Sequence, residues 1–275
     1  MPHSDTRVEP PPQILTREDG SVLAYYKTAA GKARTEAQKQ AEAPPGLMFL
    51  GGFMSDMSGS KALALEDYAG RNGRDFIRFD YRGHGASSGR FEDGTIGAWA
   101  GDALAVLDAL PAGPQILVGS SMGGWMMLLV ALARPQRIAG LVGIAAAPDF
   151  TEDLIWGRAT PEQRAALERH GYVDNPSEYS ETPYRITRRL IEEGRAHLLL
   201  GGPIPLTCPV RLIHGLQAVD VPWQTSLRLA QALQSDDGEV TLVKNAAHRL
   251  SEPADLARLE RTIDALMAGT ARSGV

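Results

Sequence analysis

The sequence predicts a doubly wound α/β domain, and two observations lead to this prediction. Short apolar segments alternate along the chain with segments whose apolar residues recur at helical spacing, an order typical of strand, helix, strand units. Most of the short segments are apolar on both faces, as the central strands of a buried parallel sheet require. In such a sheet the functional loops lie at the carboxyl ends of the strands.

The predicted strands are rich in valine, isoleucine, leucine and phenylalanine and are separated by glycine, proline and polar residues. Helical spacing is clearest at 96–110 and 256–266, where the apolar stripes would pack on the sheet. We predict strands at 46–50, 75–80, 115–120, 139–147, 210–214 and 239–243.

The interval from about 149 to 205 breaks this alternation. It contains helical segments near Pro161–His170 and Tyr184–Leu198, with no strand-like run between them. We interpret it as a cap inserted into a single domain of residues 1–275, whose core spans about 14–148 and 206–270. A cap can exclude water from a pocket and shape it. The alternative is a helical excursion packed on the side of the sheet.

Composition limits the partners. A formal net charge of -5 without clustered basic residues argues against nucleic acid and anionic membrane surfaces. Small-molecule esters or thioesters and acylated proteins are the expected partners. The lone cysteine, Cys208, cannot form an intramolecular disulfide, and no stretch reaches the roughly 18 apolar residues of a membrane span. With no signal sequence at the N-terminus, these features predict a cytoplasmic location.

A G-x-S-x-G pattern at 119–123 identifies Ser121 as a candidate nucleophile. It follows the apolar segment 115–118 and leads directly into a segment of helix-forming composition. In this setting a sharp turn between strand and helix exposes the serine hydroxyl above the sheet, and the glycines allow close backbone approach. A glycine-serine turn without chemistry is the alternative.

A serine hydroxyl attacks a carbonyl only with a base to take its proton and donors to stabilise the oxyanion. The glycine-rich segment 51–54 follows another predicted strand, so we assign the donors to the backbone N–H groups of Phe53 and Met122. Of the 6 histidines, His248 follows the last predicted strand, and its loop can reach Ser121. His248 is therefore the predicted general base.

Four segments together resemble the α/β-hydrolase superfamily, and closely the family of the mitochondrial acyl-protein thioesterase that also cleaves acyl glucuronides, with its bacterial relatives. The likeness extends over nearly the whole chain after Leu15. It implies the α/β-hydrolase fold, with a doubly wound, mostly parallel sheet and a helical cap insertion, and a serine hydrolase with a Ser, Asp, His triad. The segments are GSSMGGW at 119–125, RFDYRGHGASSG at 78–89, SGSKALALEDYA at 58–69 and HGLQAVDVPWQTS at 214–226.

The sequence lacks a carboxylate at the position where this family has its triad acid. The family pattern places it three residues after the His-Gly pair at 214–215, and that position is Ala218. Val221 and Pro222 keep the phase of the pattern, which argues against an insertion or deletion. Three interpretations remain. Asp220 turns inward despite a Cα displacement of roughly 6 to 7 Å, Asp149 acts from the strand before the cap, or an aspartate at 218 has been replaced, which reduces activity.

The sequence thus predicts hydrolysis of a carboxylic ester or thioester through an acyl-enzyme, with Ser121 as nucleophile, His248 as base and Asp220 as the candidate acid. This chemistry needs no metal or organic cofactor. A non-catalytic binding protein and a hydrolase of carbon-carbon bonds on the same fold are the alternatives. Substrate contacts are predicted for Trp156, Tyr184 and Trp223. Further candidates in the cap are Leu154, Ile155, Tyr172 and Tyr179 for an acyl pocket, and Arg185, Arg188 and Arg189 for an anionic leaving group.

Overall fold

The computed structural model describes residues 9–29, 44–110, 113–175 and 183–270. Ten strands form within these residues, and eight of them build the main sheet. The strands are β1 (Gln13–Thr16), β2 (Val22–Thr28), β3 (Gly46–Leu50), β4 (Phe76–Phe79), β5 (Gln115–Ser120), β6 (Ile138–Ile144), β7 (Tyr172–Asn175), β8 (Tyr184–Thr187), β9 (Val210–Gly215) and β10 (Gly238–Val243).

The order of the main sheet is β1-β2-β4-β3-β5-β6-β9-β10. From β4 to β10 all neighbours are parallel, whereas β1, β2 and β4 pair antiparallel. This confirms the predicted doubly wound, mostly parallel sheet. The six predicted strands correspond to β3, β4, β5, β6, β9 and β10. The sequence analysis did not locate β1 and β2: β1 is a largely exposed edge strand of 4 residues, and β2, which lies between β1 and β4, is only partly buried.

Helices cover both faces of the sheet. Trp99 and Trp125 are fully buried in the core on one face, and Leu65 and Ile263 in the core on the other. Within the described residues no helix is long and apolar enough to cross a membrane. The helices are α1 (Ser60–Arg71), α2 (Ile96–Ala109), α3 (Met122–Ala133), α4 (Pro161–His170), α5 (Arg188–Gly194), α6 (Gln224–Ala232) and α7 (Pro253–Thr270), with 3-10 turns at Phe91–Asp93, Pro135–Arg137 and Arg195–His197.

The interval between β6 and β9 differs from its prediction. It begins with a π-helical turn at Thr151–Trp156, and α4 lies where predicted. The segment from Tyr184, however, first forms strand β8, which pairs antiparallel with β7, and helix α5 begins only at Arg188. The expected continuous helix was wrong because Tyr-Arg-Ile-Thr is rich in residues that favour strands, and the Thr187 hydroxyl then caps α5 by accepting the Leu190 N–H at 3.1 Å.

Candidate active site

Ser121 occupies a strained turn between β5 and α3. Its backbone has φ 54° and ψ -119°, a conformation that residues with a Cβ rarely adopt. Three hydrogen bonds fix it: Ser121 N–H donates to the Ile144 carbonyl at 2.9 Å, and the Ser121 carbonyl accepts from Gly124 N–H at 2.9 Å and Ala147 N–H at 3.0 Å. These bonds to the surrounding backbone therefore hold the strained conformation that exposes the hydroxyl.

The turn requires glycine because α3 packs directly on β3. A Cβ added to Gly123 would lie 2.0 Å from the carbonyl oxygen of Leu50, and one added to Gly119 would lie 2.4 Å from the carbonyl oxygen of Gly123. Both positions are thus closed to any side chain. The glycines predicted to allow close backbone approach have this role.

His248 reaches Ser121 from the loop between β10 and α7. Its Nε2 lies 3.0 Å from the Ser121 Oγ, although the two residues are 127 positions apart in the chain. When the imidazole is neutral with Nδ1 protonated, the serine hydroxyl can donate to Nε2. This arrangement can transfer the serine proton to the imidazole.

The other nitrogen of His248 has no partner. Nδ1 is buried and makes no hydrogen bond within the described part of the chain. Burial lowers the pKa of His248 to about 4, the Asp220 carboxylate acts in the opposite direction, and His214 and Lys61 lower the pKa further. Asp220 therefore interacts electrostatically with the imidazole, but it does not accept a hydrogen bond from Nδ1.

The loop that carries residues 218 and 220 is held from both ends. His214 is fully buried, and its Nε2–H donates to the Val221 carbonyl at 3.0 Å while its Nδ1 accepts the Ser226 hydroxyl at 2.7 Å. Burial lowers the pKa of His214, in keeping with this neutral tautomer. The Gln217 N–H donates to the Ala246 carbonyl at 3.0 Å. The start of this loop therefore packs against the loop of His248, with an alanine methyl at position 218.

Asp149, the second candidate for the acid, has another role. Its two carboxylate oxygens accept the backbone N–H groups of Leu199 at 2.8 Å and Leu200 at 2.7 Å. These bonds tie the two ends of the interval between β6 and β9 together. Burial raises the pKa of Asp149, and the two backbone bonds oppose this rise. The alternative that Asp149 orients His248 is therefore wrong.

The segment 51–54 lies beside Ser121, as expected for an oxyanion loop. A Cβ on Gly52 would be 3.5 Å from the Ser121 Cβ. Within the described residues the Phe53 N–H donates no hydrogen bond. Met122 is the first residue of α3, where helix geometry leaves the N–H without an intrahelical acceptor. The two predicted donors are thus available for a ligand.

His84 fixes this loop in a way that the sequence did not reveal. It is buried, and its Nε2 accepts the Met54 N–H at 3.3 Å while its Nδ1–H donates to the Arg82 carbonyl at 3.2 Å. Burial lowers the pKa of His84 to about 4, so the ring stays neutral and keeps an acceptor. Met54 itself has φ 57°. The RGHG segment therefore supports the oxyanion loop as well as its own turn.

Two cavities meet at the candidate site, and both are lined by Ser121, His248, Phe53 and Tyr184. One, of about 530 Å³, lies under the interval between β6 and β9. The other, of about 460 Å³, is lined mainly by polar residues of the oxyanion loop, the start of α1 and the loop of His248. Apolar residues of the first cavity are Met122, Ala147, Phe150, Leu154, Ile155, Leu167, Val173, Ile186, Val219 and Val221.

The predicted substrate contacts are only partly placed at these cavities. Tyr184 lines both, whereas Trp156 and Trp223 are absent from the described lining of either. The Trp156 ring instead lies near the guanidinium groups of Arg164, at 4.9 Å, and Arg195, at 5.2 Å. Trp223 precedes α6, and its carbonyl accepts the Ser226 N–H at 3.1 Å. The structure thus places neither tryptophan at the two cavities, and their contact with substrate stays a prediction.

Two of the three arginines expected to bind an anionic leaving group, Arg185 and Arg188, are engaged in surface pairs. Arg185 binds Asp174 at 2.9 Å and stacks over the Tyr172 ring at 4.0 Å, and Arg188 pairs with Glu192 at 2.6 Å. These contacts do not support the expected role in binding an anionic leaving group. Tyr179 lies outside the described residues. No group of three or more His, Cys, Asp or Glu side chains in the described ranges is arranged to hold a metal ion.

The chain has extensive similarity to known proteins. A family described as alpha/beta hydrolase fold matches residues 47–171. The Bos taurus protein named palmitoyl-protein thioesterase ABHD10, mitochondrial, is 44% identical over 92% of this chain and 79% of its own length. The Mus musculus protein of the same name is 45% identical over 92% of this chain and 82% of its own length. The solved structure of alpha/beta hydrolase domain-containing protein 10 from mouse covers 94% of this chain and 98% of its own, at 40% identity and a TM-score of 0.83.

These relatives correct the expected location. They are named as mitochondrial proteins, which contradicts the predicted cytoplasmic location. The prediction failed because a single cysteine and the lack of a long apolar stretch do not distinguish one reducing compartment from another. The relatives' names agree with the predicted reaction class, hydrolysis of an ester or thioester by an enzyme. The chain belongs to the α/β-hydrolase superfamily and, within it, to the family of the palmitoyl-protein thioesterase ABHD10.

Proposed function

We propose that this protein hydrolyses thioesters or esters of apolar acyl groups, with acylated proteins among its substrates, through an acyl-enzyme on Ser121. The observation that carries this proposal is the 3.0 Å approach of His248 Nε2 to the Ser121 Oγ at the strained turn. The names of the relatives, palmitoyl-protein thioesterases, support an acylated substrate.

The reaction follows from the geometry. His248 Nε2 takes the hydroxyl proton as Oγ attacks the acyl carbon, and the N–H groups of Phe53 and Met122 stabilise the resulting oxyanion. The imidazolium then gives its proton to the departing sulfur or oxygen, and the acyl group remains on Ser121. A water molecule, deprotonated by His248, attacks this ester, and the free acid leaves as the serine hydroxyl regains its proton.

The two cavities suggest where each half of the substrate binds. The cavity under the interval between β6 and β9 has a mainly apolar lining, to which Arg158, Gln163, Asn175 and Asp220 also contribute, and at about 530 Å³ it falls in the usual range of ligand pockets. We assign the acyl chain to it. The polar cavity on the side of α1 receives the leaving group, and Tyr184 lies where the two cavities meet, because it lines both.

The interval of residues 149–205 acts as the cap of this site, inserted between the core segments 14–148 and 206–270. Leu154, Ile155, Leu167 and Ile186 all belong to the interval and line the acyl cavity. Asp149 holds its two ends together through the backbone of Leu199. In this arrangement the cap excludes water from the acyl chain while the serine and histidine remain on the core.

Catalysis depends mainly on the pair Ser121 and His248. Asp220 supplies electrostatic support, since its charge raises the pKa of His248 against the effect of burial. In a complete triad the acid orients the imidazole and raises the rate by about 10⁴-fold. Because Nδ1 has no hydrogen-bond partner in the described chain, we expect turnover below that of a complete triad. The third interpretation of Ala218, an aspartate replaced, is the one we propose.

Labelling with a fluorophosphonate probe tests the nucleophile. We expect covalent labelling of Ser121, which Ser121→Ala abolishes and the matched variant Ser120→Ala retains, because Ser120 is out of phase with the turn. Hydrolysis of acyl thioesters of increasing chain length, measured alongside, should depend on Ser121 in the same way. Because Nδ1 of His248 lacks a hydrogen-bond partner among the described residues, a binding role without turnover is the second candidate. It would be favoured by acyl-chain binding without labelling or hydrolysis.

A further inference from the structure

Lys61 connects helix α1 to the loop that carries His248. Its Nζ donates to the carbonyl oxygen of Arg249 and, at 3.2 Å, to the Ser251 hydroxyl. The acceptors lie 188 and 190 positions away along the chain. Both acceptors lie in the loop directly after His248. This lysine therefore holds the backbone that determines where the imidazole points.

Few hydrogen bonds fix the orientation of the His248 imidazole. In a complete triad a carboxylate binds Nδ1 and sets both the tautomer and the orientation of the ring. Here Nδ1 has no hydrogen-bond partner within the described part of the chain, and Nε2 hydrogen-bonds to the Ser121 hydroxyl. The direction of Nε2 therefore depends on how firmly residues 248–251 are held.

Lys61 also acts on His248 through its charge. Both residues line the polar cavity, and the positive charge of Lys61 contributes to the lowered pKa of His248. Burial lowers the pKa of Lys61 itself to about 8, Arg249 lowers it further and Asp255 raises it. At neutral pH the amine is thus largely an ammonium group with three donor hydrogens.

A direct contact with the leaving group would be the other role for a lysine in this cavity. The structure favours the loop contact, because two of the three ammonium hydrogens already bind acceptors in the loop of His248. A third donor alone would not define a binding site for an anion. The SGSK segment, which helped to reveal the family resemblance, thereby gains a role that the serine and histidine do not explain.

We propose that Lys61 is a positioning residue that holds the loop of His248 so that Nε2 stays at the Ser121 hydroxyl, in place of the carboxylate that orients the ring in a complete triad. This inference rests on the proposed function, because it concerns the approach of His248 to Ser121. Lys61 does not touch the reacting atoms.

The variant Lys61→Met removes both bonds and keeps the length of the side chain. We expect kcat for a short acyl thioester to fall by at least about 10-fold, since a misplacement of about 1 Å can lower rates by about 10²-fold. KM should change less than about 3-fold if Lys61 does not contact the substrate, in line with a loss of positioning. Lys61→Arg, which keeps charge and donors, should recover most of the loss. Lys244→Met, an exposed lysine at the start of the same loop, is the matched control.

The pH profile separates positioning from a merely structural role. Removal of the Lys61 charge raises the pKa of His248, so the acid limb of kcat/KM in Lys61→Met should move to higher pH. The charges of Asp220 and His214, which also act on His248, remain in place. An unmoved acid limb, or a rate equal to that of the wild type, would overturn the inference.

Two further measurements keep these outcomes apart. Thermal unfolding of each variant shows whether a lost rate comes from a lost fold, and in a folded Lys61→Met protein the double variant with Ala218→Asp should recover activity. Equal proportional losses with and without the new carboxylate would mean that Lys61 does not replace it. Should Ser121→Ala keep full turnover, the proposed function fails; should only the Lys61 variants behave like the wild type, this inference alone fails.

Discussion

The variant Ala218→Asp places a carboxylate on the loop that packs directly against the loop of His248. Gln217, the neighbouring residue, already donates its N–H to the Ala246 carbonyl at 3.0 Å, so the two loops are in contact at this point. The buried Nδ1 of His248 has no hydrogen-bond partner in the described chain. An aspartate at 218 would supply the acceptor at the position that the family pattern assigns to the acid.

The magnitude follows from the electrostatics of His248. Burial depresses its pKa from 6.5 to about 4, and at about 1.36 kcal/mol per pKa unit the imidazolium is disfavoured by roughly 3 kcal/mol. The imidazolium forms as Ser121 attacks, so this energy enters the barrier and corresponds to roughly 10²-fold in rate. Correct orientation of the ring adds to this, with about 10⁴-fold as the limit measured in a serine protease triad. We therefore expect kcat/KM to rise by at least about 10²-fold.

The assay is steady-state hydrolysis of an acyl thioester by the wild type and by Ala218→Asp, across pH. A second signature accompanies the rate. In the wild type a base with a pKa of about 4 leaves kcat/KM nearly level above pH 5, whereas the new carboxylate should raise the pKa of His248 and bring an acid limb into the range about pH 5 to 7. Ala218→Asn is the matched control, because its amide lacks the charge.

No gain in rate from a folded Ala218→Asp protein would refute the reasoning that residue 218 is the acid position. The same conclusion would follow if the asparagine control gave an equal gain. A rate that rises while the acid limb stays in place would mean that the new carboxylate acts without contacting His248.

Four further predictions follow from other contacts. Asp220→Asn should lower kcat/KM by less than about 10-fold, because Asp220 supports His248 only electrostatically; a loss above about 10³-fold in the same assay would instead identify it as the acid. Gly123→Ala should yield little folded or active protein by circular dichroism and labelling, because its Cβ would lie 2.0 Å from the Leu50 carbonyl oxygen. Asp149→Ala should lower the free energy of unfolding in urea by about 2 kcal/mol, since two partly buried backbone N–H groups lose their acceptor, and a neutral effect would contradict its role in tying together the two ends of the interval between β6 and β9. His84 has a folded pKa of about 4 against 6.5 when exposed, so its contribution is present above pH 6.5 and is lost as the pH falls to about 4; the stability advantage of the wild type over His84→Gln should therefore shrink by roughly 3 kcal/mol across that range, and a constant difference would contradict this.

The sequence by itself determined the central sheet and the turn of the nucleophile. Continuous apolar segments identified β3, β4, β5, β6 and β9 because a parallel strand buried on both faces leaves a local signal, and the edge strand β10 was identified although it is largely exposed. The glycine pattern around Ser121 is also local, since close backbone packing excludes a side chain at Gly119 and Gly123. β1, β2 and the hairpin of β7 and β8 were missed because short or partly buried strands depend on their partners more than on their own composition.

Tertiary structure alone decided how the site is held. Asp149 binds the backbone of Leu199, and Lys61 reaches the loop after His248; both contacts join residues far apart in the chain. The burial of His248 Nδ1 without a hydrogen-bond partner in the described chain likewise depends on how distant segments pack. Similarly, Trp156 is an aromatic residue of the expected kind, but its ring lies near the guanidinium groups of Arg164 and Arg195. A residue type states which bonds a side chain can make, whereas its partners are set by the packing of distant segments, which no local pattern encodes.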